Sequence, residues 1–299
     1  MQAAHLRDFI AVADQGSLRA AARHLDLSQG AISKNLMALE KELGVSLLVR
    51  SAHGVEPTEP GRILLRRARL ADAEMRKARE ELAALTGKRM GTVQVGFSCT
   101  AEALIGAEAI RRFRGDFPDG SVYTRGGTPW TLLHLLREGK LDFAVTNVDG
   151  PALGPDLQAQ RLFSTDYVVV ARAGHPLDSA TSLAELGDCE WIQGSLPDEF
   201  EPSMETAFRK AGLPQPRVAA QRDAFSALFF ILLQSDYVAV ATEAAVAPLC
   251  GAGLLKRIPV VEDLGVSVQS LLVSSSRPLG PHAQAMADAI RRISRGLRR

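Results

Sequence analysis

Cysteine is scarce. The 299-residue chain holds three, Cys99, Cys189 and Cys250, far apart in sequence. That is neither a disulfide framework nor the close spacing of a metal site, and it suits a reducing cytoplasm, where the protein is expected to reside. Long apolar runs are absent too. The longest, FSALFFILL at Phe225–Leu233, falls far short of the roughly 20 residues that cross a bilayer and reads as a buried helix. No cationic stretch leads into an apolar core at the N-terminus, where Arg7, Asp8 and Asp14 are scattered, so no signal peptide is expected. Catalytic signatures are missing. His5, His24, His53, His134, His175 and His282 form no paired-ligand motif, and there is no GxSxG, P-loop or GxGxxG. His175, in AGHPL, reads as a turn residue rather than a base. No enzyme activity, cofactor or metal is expected.

The chain has enough apolar residues, 46%, and enough length for two domains or more. Its net charge is only +1, but the distribution is uneven. Residues 1–90 carry fifteen Lys and Arg against eleven Asp and Glu, a surplus of four, while the remainder is negative by three. A basic N-terminal part on a mildly acidic remainder suits nucleic acid bound at one end.

Leu6, Phe9, Ile10 and Ala13 fall at the i, i+3, i+4, i+7 spacing of an amphipathic helix. Gly16 ends that helix and Ser17 can cap the next, an alanine-rich segment near Leu18–Leu25. Asp26 and Leu27 make a turn, and Ser28 caps a third helix that buries Ile32, Leu36, Leu39 and Leu43. The opposite face shows Gly30, Ser33, Lys34, Met37 and Lys41, with Gln29 and Asn35 at its margins. This spacing fits a helix-turn-helix whose outer face enters a major groove, and equally a plain three-helix bundle with a solvated face. In the first case Gln29, Ser33 and Lys34 can bond base edges or phosphates. The following VSLLVRSAHGVEPTEPG reads as a short hairpin, or wing, with Arg50 at its edge for a phosphate contact.

From Gly61 to Thr86 the pattern predicts one long helix capped by Thr58. Leu64, Ala68, Ala71, Met75, Ala78, Leu82 and Leu85 form an unbroken heptad seam among Arg, Glu and Lys. Alone such a seam stays wet, so a dimerisation helix is expected, followed by a TGKRMG linker.

Beyond it, GTVQVGFS (Gly91–Ser98), SVYTR and LDFAVT read as strands separated by a helix near Glu102–Phe113 and a second in TPWTLLHLLREG, where Thr128 caps and Pro129 opens. This β-α-β-α-β order predicts a parallel sheet with helices on both faces. RLFSTDYVVVARAGHPL begins a second unit with WIQGS, a helix around Glu201–Ala211, RVAAQ, the apolar helix at Phe225–Gln234 and YVAVAT. SVQSLLVSS and a helix at Pro281–Gly296 return to the first. Ligands of such folds bind at strand C-termini and helix N-termini. Ser98, Cys99, Thr100, Thr128, Thr146 and Asn147 from one lobe, and Gly194, Ser195 and Phe225 from the other, occupy those places. Each Ser or Thr alone is an ordinary cap; together they converge on a cleft. Hydroxyls and helix dipoles there suit a small organic anion.

The segment FIAVADQGSLRAAARHLDLSQGAISKNLMALEKELGVSLLVR, with PTEPG after it, resembles the LysR-type transcriptional regulators. Gly16, Ser17, Ala21, Ala22, Leu25, Ser28, Gln29, Ser33, Leu39, Glu40, Leu43, Gly44, Arg50, Thr58 and Gly61 match that family's pattern, which usually has Pro where Gly30 stands and often Arg-Gln at Lys34-Asn35. The resemblance implies an α/β protein. A winged helix-turn-helix (1–60) and a linker helix with hinge (61–90) precede a two-lobed, periplasmic-binding-protein-like effector domain (91–299). Lobe I then covers about 91–160 and 267–299, and lobe II about 161–266. It implies a regulator that binds double-stranded promoter DNA through Ser28, Gln29, Gly30, Ser33, Lys34, Met37, Arg50 and Thr58, binds a small-molecule effector, and assembles as a dimer or tetramer, with RNA polymerase a further expected partner. LREGKLDFAVT and DLQAQRLFSTDYVVVARAGHPL are most similar to the branch that includes the toluenesulfonate regulator, which points to an aromatic acid or sulfonate. Weighed against this are a redox-responsive regulator, for which Cys99 is the cleft thiol, and a ligand-independent DNA-binding protein.

Overall fold

The structure is a computed structural model and describes residues 1–51, 54–85, 91–148, 153–193, 204–221 and 225–297. The chain makes two compact units, one from Met1–Leu82 (with Glu138–Lys140) and one from the rest.

In the first unit, α1 (Ala3–Gln15) ends at Gly16 in the left-handed conformation, φ 63°. The Ser17 hydroxyl caps α2 (Leu18–Leu25) by accepting from Ala20 N at 3.4 Å. Asp26 makes the tight turn at φ 54°, a conformation that a short polar side chain tolerates. Ser28 caps α3 (Gln29–Leu43), accepting from Ala31 N at 3.1 Å. Phe9, Val12, Ala21, Ile32, Leu36 and Leu39 are the core. Leu43, expected inside, is 39% exposed. It is the last residue of α3, where Gly44 turns the chain away.

The wing is β1 (Leu48–Ser51) paired antiparallel with β2 (Gly54–Pro57). It is stitched to the link between α1 and α2 by Val55 N–H donating to Gly16 O at 2.8 Å. Side chains are excluded where the wing meets its neighbours. A Cβ on Gly54 would lie 2.5 Å from Gly16 O, and one on Gly61 would lie 2.0 Å from Leu47 O. Gly61 opens the way for α4 (Glu59–Leu85), which starts as the Thr58 cap predicts, with Gly61 N donating to Thr58 Oγ1 at 3.1 Å. Along α4, Leu65 and Ala68 are buried, Leu64 is half-buried and Ala71, Met75, Ala78 and Leu82 are exposed. The distal heptad seam is therefore open in a single chain.

The second unit begins with β3 (Thr92–Phe97) and α5 (Cys99–Ala101). A π-helical stretch at Glu102–Gly106 leads into α6 (Ala107–Asp116). Thus the single helix expected from about Glu102 starts earlier and is irregular. Then come β4 (Ser121–Gly126), α7 (Pro129–Arg137) and β5 (Phe143–Thr146). β4, β3 and β5 are parallel neighbours. Phe143 and Val145 face α6 and the last helix, while Ala144 faces Leu132, Leu133 and Leu136 of α7, the alternation that puts helices on both faces.

A 16-residue strand, β6 (Leu157–Arg172), then runs the width of the unit. β7 (Glu190–Gln193), α8 (Met204–Lys210), β8 (Arg217–Gln221), α9 (Phe225–Leu232) and β9 (Val238–Thr242) follow. α10 (Glu243–Gly251) and β10 (Leu255–Ile258) were not expected from sequence. Pro248 inside α10 and the buried-exposed-exposed-buried β10 break both periodicities. β11 (Val266–Ser274) and α11 (Pro281–Arg295) complete the chain. The strand order is β4-β3-β5-β11-β6-β9-β7-β8, with β10 also on β6. β11 and β6 are antiparallel and cross the middle. Their register shifts between Gln269, opposite Phe163, and Ser270, opposite Arg161, which bulges Leu162. On the far side β6 alternates between two cores, Tyr167, Val169 and Ala171 with Trp191 and Phe208, and Val168 and Val170 with Leu228 and Leu232.

Candidate functional site

On α3, Gln29, Gly30, Lys34 and Met37 are exposed and Ser33 is half-buried, so the outer face is continuous. A Cβ on Gly30 would meet nothing within 4 Å, so the fold does not demand glycine there. Arg50 is exposed on β1. Two of the predicted residues already serve the fold: Ser28 Oγ is the α3 cap, and Thr58 Oγ1 both accepts from Gly61 N and donates to Ser46 O at 2.7 Å. Asn35 turns inward. Its Nδ2 donates to Asp8 Oδ2 at 2.7 Å, and Arg7 holds the other oxygen of that carboxylate through Nε at 3.2 Å and a terminal nitrogen at 3.1 Å. Asp8 is 0% exposed. Sequence did not single it out, because the stripe expected on α1 was Leu6, Phe9, Ile10 and Ala13, whereas the buried face is Asp8, Phe9, Ala11 and Val12, with Leu6, Ile10 and Ala13 half-buried.

In the second unit, β3 and β5 end where the parallel sheet meets the two long crossing strands, and polar side chains are buried there. Ser98 Oγ donates to Gln269 Oε1 at 2.7 Å and accepts from Ala101 N at 3.2 Å. Gln269 Nε2 in turn donates to Ser267 Oγ at 3.0 Å. Thr100 Oγ1 lies 2.8 Å from Thr242 Oγ1, which joins the end of β3 to the end of β9. Gln269, Ser267 and Thr242 were not predicted. An alternating strand gives no sign of which polar residue a crossing will bury. Thr146 is 0% exposed, and its hydroxyl is 3.4 Å from Asn147 Oδ1. The hydroxyls expected to greet a ligand are thus already bonded within the protein.

Thr128 is half-exposed at the start of α7. Its Oγ1 accepts from Thr131 N at 3.3 Å and lies 3.1 Å from Thr131 Oγ1, while its carbonyl accepts from Leu132 N at 3.0 Å. The N–H groups of Thr131 and Leu132 are therefore engaged within the helix start. The helix dipole remains for an anion, and the Thr128 hydroxyl proton does so when Thr131 is the donor of their 3.1 Å contact. Glu102 Oε2 would lie 4.0 Å from a Cβ on Gly126, two residues before Thr128. Gly194 and Ser195 lie outside the described residues, as does the side chain of Phe225.

Burial and the nearby Glu102 carboxylate push the Cys99 thiol up to about 11. Burial raises Cys189 and Cys250 as well. A protonated thiol is a poor nucleophile. His175 accepts from Leu177 N through Nδ1 and bonds Asp236 O through Nε2, the turn role expected of it. A separate surface cavity of about 510 Å³ is lined by His175, Leu177, Asp188, Cys189 and Tyr237 among others, and none of the predicted cleft residues reaches it. No described helix is long and apolar enough to cross a membrane. No group of His, Cys, Asp and Glu among the described residues is placed to hold a metal.

The family model described as the bacterial regulatory helix-turn-helix protein, lysR family, matches residues 3–62, and that of the LysR substrate binding domain matches residues 86–294. The chain belongs to the LysR family of transcriptional regulators. It is similar to the transcriptional regulator GbpR of Azospirillum brasilense, 29% identical over 97% of this chain and 86% of the relative. It is also similar to the SDS degradation transcriptional activation protein of a Pseudomonas species, 30% identical over 95% of this chain and 94% of that one. Among solved structures, the LysR family regulator CbnR shares the fold, with TM-score 0.70 and 21% identity over 98% of this chain and 99% of CbnR. The family and these relatives are transcriptional regulators rather than enzymes. The Asn35 side chain is spent on the fold rather than presented outward.

Proposed function

We propose that this LysR regulator reads two half-sites of a promoter through Gln29, Gly30, Ser33, Lys34 and Met37 on α3, flanked by Arg50. Ser28 and Thr58 act there mainly by shaping the helix ends. The observation that carries this reading is the unbroken exposed face on a helix capped and turned as the family pattern requires. The open seam at Ala71, Met75, Ala78 and Leu82 would pair with a second chain, which supplies the second recognition helix in a dimer or a tetramer. RNA polymerase is the remaining partner of such an assembly.

The effector we propose is a small organic monoanion, an aromatic carboxylate or a sulfonate, held where β3, β5 and α7 meet, between lobe I (91–160, 267–299) and lobe II (161–266). Support comes from Thr128 at a helix start, and from similarity to a relative named an SDS degradation transcriptional activation protein. Glu102 beside Gly126 opposes a second negative charge and so favours a monoanion over a dianion. The effector shifts regulation only if it binds the two arrangements of the assembly unequally. Thiols whose protonated form is favoured weigh against the redox alternative.

A thermal-shift screen of the full chain against aromatic carboxylates, alkyl and aryl sulfonates and matched dicarboxylates tests the effector class, since ligands of the folded state raise its melting temperature. Monoanion hits that vanish in Thr128→Val, with DNA affinity intact, are expected. Hits among dicarboxylates, or hits unaltered in the variant, would remove the anion from Thr128.

A further inference from the structure

The buried carboxylate of Asp8 has no part in the proposed contacts, yet it occupies the most demanding position in the DNA-binding unit. We infer that Asp8 is a positioning residue for DNA recognition: through Asn35 it sets the rotation of α3 about its own axis, and so decides which side chains face the groove. The inference rests on α3 being the reading helix.

The physical reason is directional. α1 and α3 otherwise meet through Phe9, Val12, Ile32, Leu36 and Leu39, all buried. Apolar contact is nearly indifferent to orientation, and a helix that slips by one residue turns by roughly 100°. A hydrogen bond is not indifferent. Asn35 Nδ2 reaches Asp8 Oδ2 at 2.7 Å, and the carboxylate cannot follow a rotated Asn35, because Arg7 grips its other oxygen at 3.1 and 3.2 Å. A fully buried carboxylate is costly and is tolerated when its oxygens are bonded, and such groups specify one packing over its neighbours. Asn35 is the residue after Lys34, so the same bond aims Lys34 outward. Asp8 itself is 0% exposed and cannot touch DNA.

The test uses the full-length protein. A duplex is first selected from a random-sequence pool by the wild-type protein. Wild type, Asp8→Ala, Asn35→Asp and the exchange Asp8→Asn/Asn35→Asp are then titrated against that duplex and a scrambled one at a single salt concentration, with melting temperatures recorded. Asn35→Asp sets two carboxylates against each other, while the exchange restores one hydrogen bond with its direction reversed. Both single variants are expected to lower the selected-to-scrambled affinity ratio roughly 10-fold, the scale of losing one base contact, while scrambled affinity changes little. The exchange is expected to bring the ratio back to within about 3-fold of wild type. A folded Asp8→Ala with an unchanged ratio would overturn the inference. So would an exchange variant that melts like wild type yet stays unselective, because Asn35 would then be touching DNA directly. If Asp8→Ala does not fold, the Asn35→Asp and exchange pair decides alone. A wild-type protein that selects no duplex would instead sink the reading of α3 as the recognition helix.

Discussion

The Thr100–Thr242 pair offers the sharpest energetic test of how the ends of β3 and β9 are joined. The two hydroxyls lie 2.8 Å apart and are 6% and 3% exposed. Replacing either Thr by Val keeps the side-chain shape but strands the other hydroxyl without a partner and without water. A buried polar group left unbonded costs about 1–3 kcal/mol, whereas removing both partners together is nearly neutral. Each single variant should therefore lose about 2 kcal/mol. For a unit of this size that is a fall of roughly 4–8 °C in melting temperature. The double variant should melt within about 2 °C of wild type, giving a coupling of comparable magnitude and opposite sign to the sum of the single losses. The assay is convenient because both tryptophans, Trp130 and Trp191, lie in this unit, so intrinsic fluorescence follows its unfolding alone. Single losses that simply add in the double variant would refute a paired, dry contact and put water at both hydroxyls.

Four further outcomes are expected. Lys34→Ala should weaken DNA binding and reduce the slope of log affinity against log salt by about 1, one cation fewer at the phosphates; an unaltered slope takes Lys34 out of the interface. Gly30→Ala meets open space and should stabilise the first unit by about 0.4–1 kcal/mol in urea titration, and a simultaneous loss of DNA affinity would locate close backbone approach there. Cys99 has its folded value raised from 9.0 to about 11, so the folded state holds a proton that the unfolded state releases. Its contribution is complete below pH 9 and lost as pH rises toward 11; wild type should lose more stability over that interval than Cys99→Ala, and parallel curves would contradict the assignment. Leu82→Glu, on the exposed seam, should lower the mass seen in sedimentation without changing the monomer's secondary structure, and an unaltered mass would mean assembly through another face.

Much of the DNA-binding unit was legible because its signals are local. Gly16, Ser17, Ser28 and Gly44 mark helix ends through their own backbone preferences and caps, and each lies where its chemistry places it. The Gly61 requirement belongs to a family pattern whose reason appears only when Leu47 O is found 2.0 Å from the missing Cβ. In the second unit, local signals gave most of the element order, all but α10 and β10, but not the roles of the polar residues. They could tell that Ser98, Thr100 and Thr128 end strands or begin helices, but not that their hydroxyls already have partners.

Sequence by itself determined the family, the order of all elements but α10 and β10, the capped recognition helix and the heptad seam, all of which rest on residues a few positions apart, where spacing alone sets which side chains share a face. Tertiary structure alone decided the partners that lie far away in the chain: Gln269 for Ser98 across 171 residues, Thr242 for Thr100 across 142, and Asn35 for Asp8 across 27. Those pairs form because packing removes water from polar groups that must then bond one another, and no periodicity in the chain records which ones will meet.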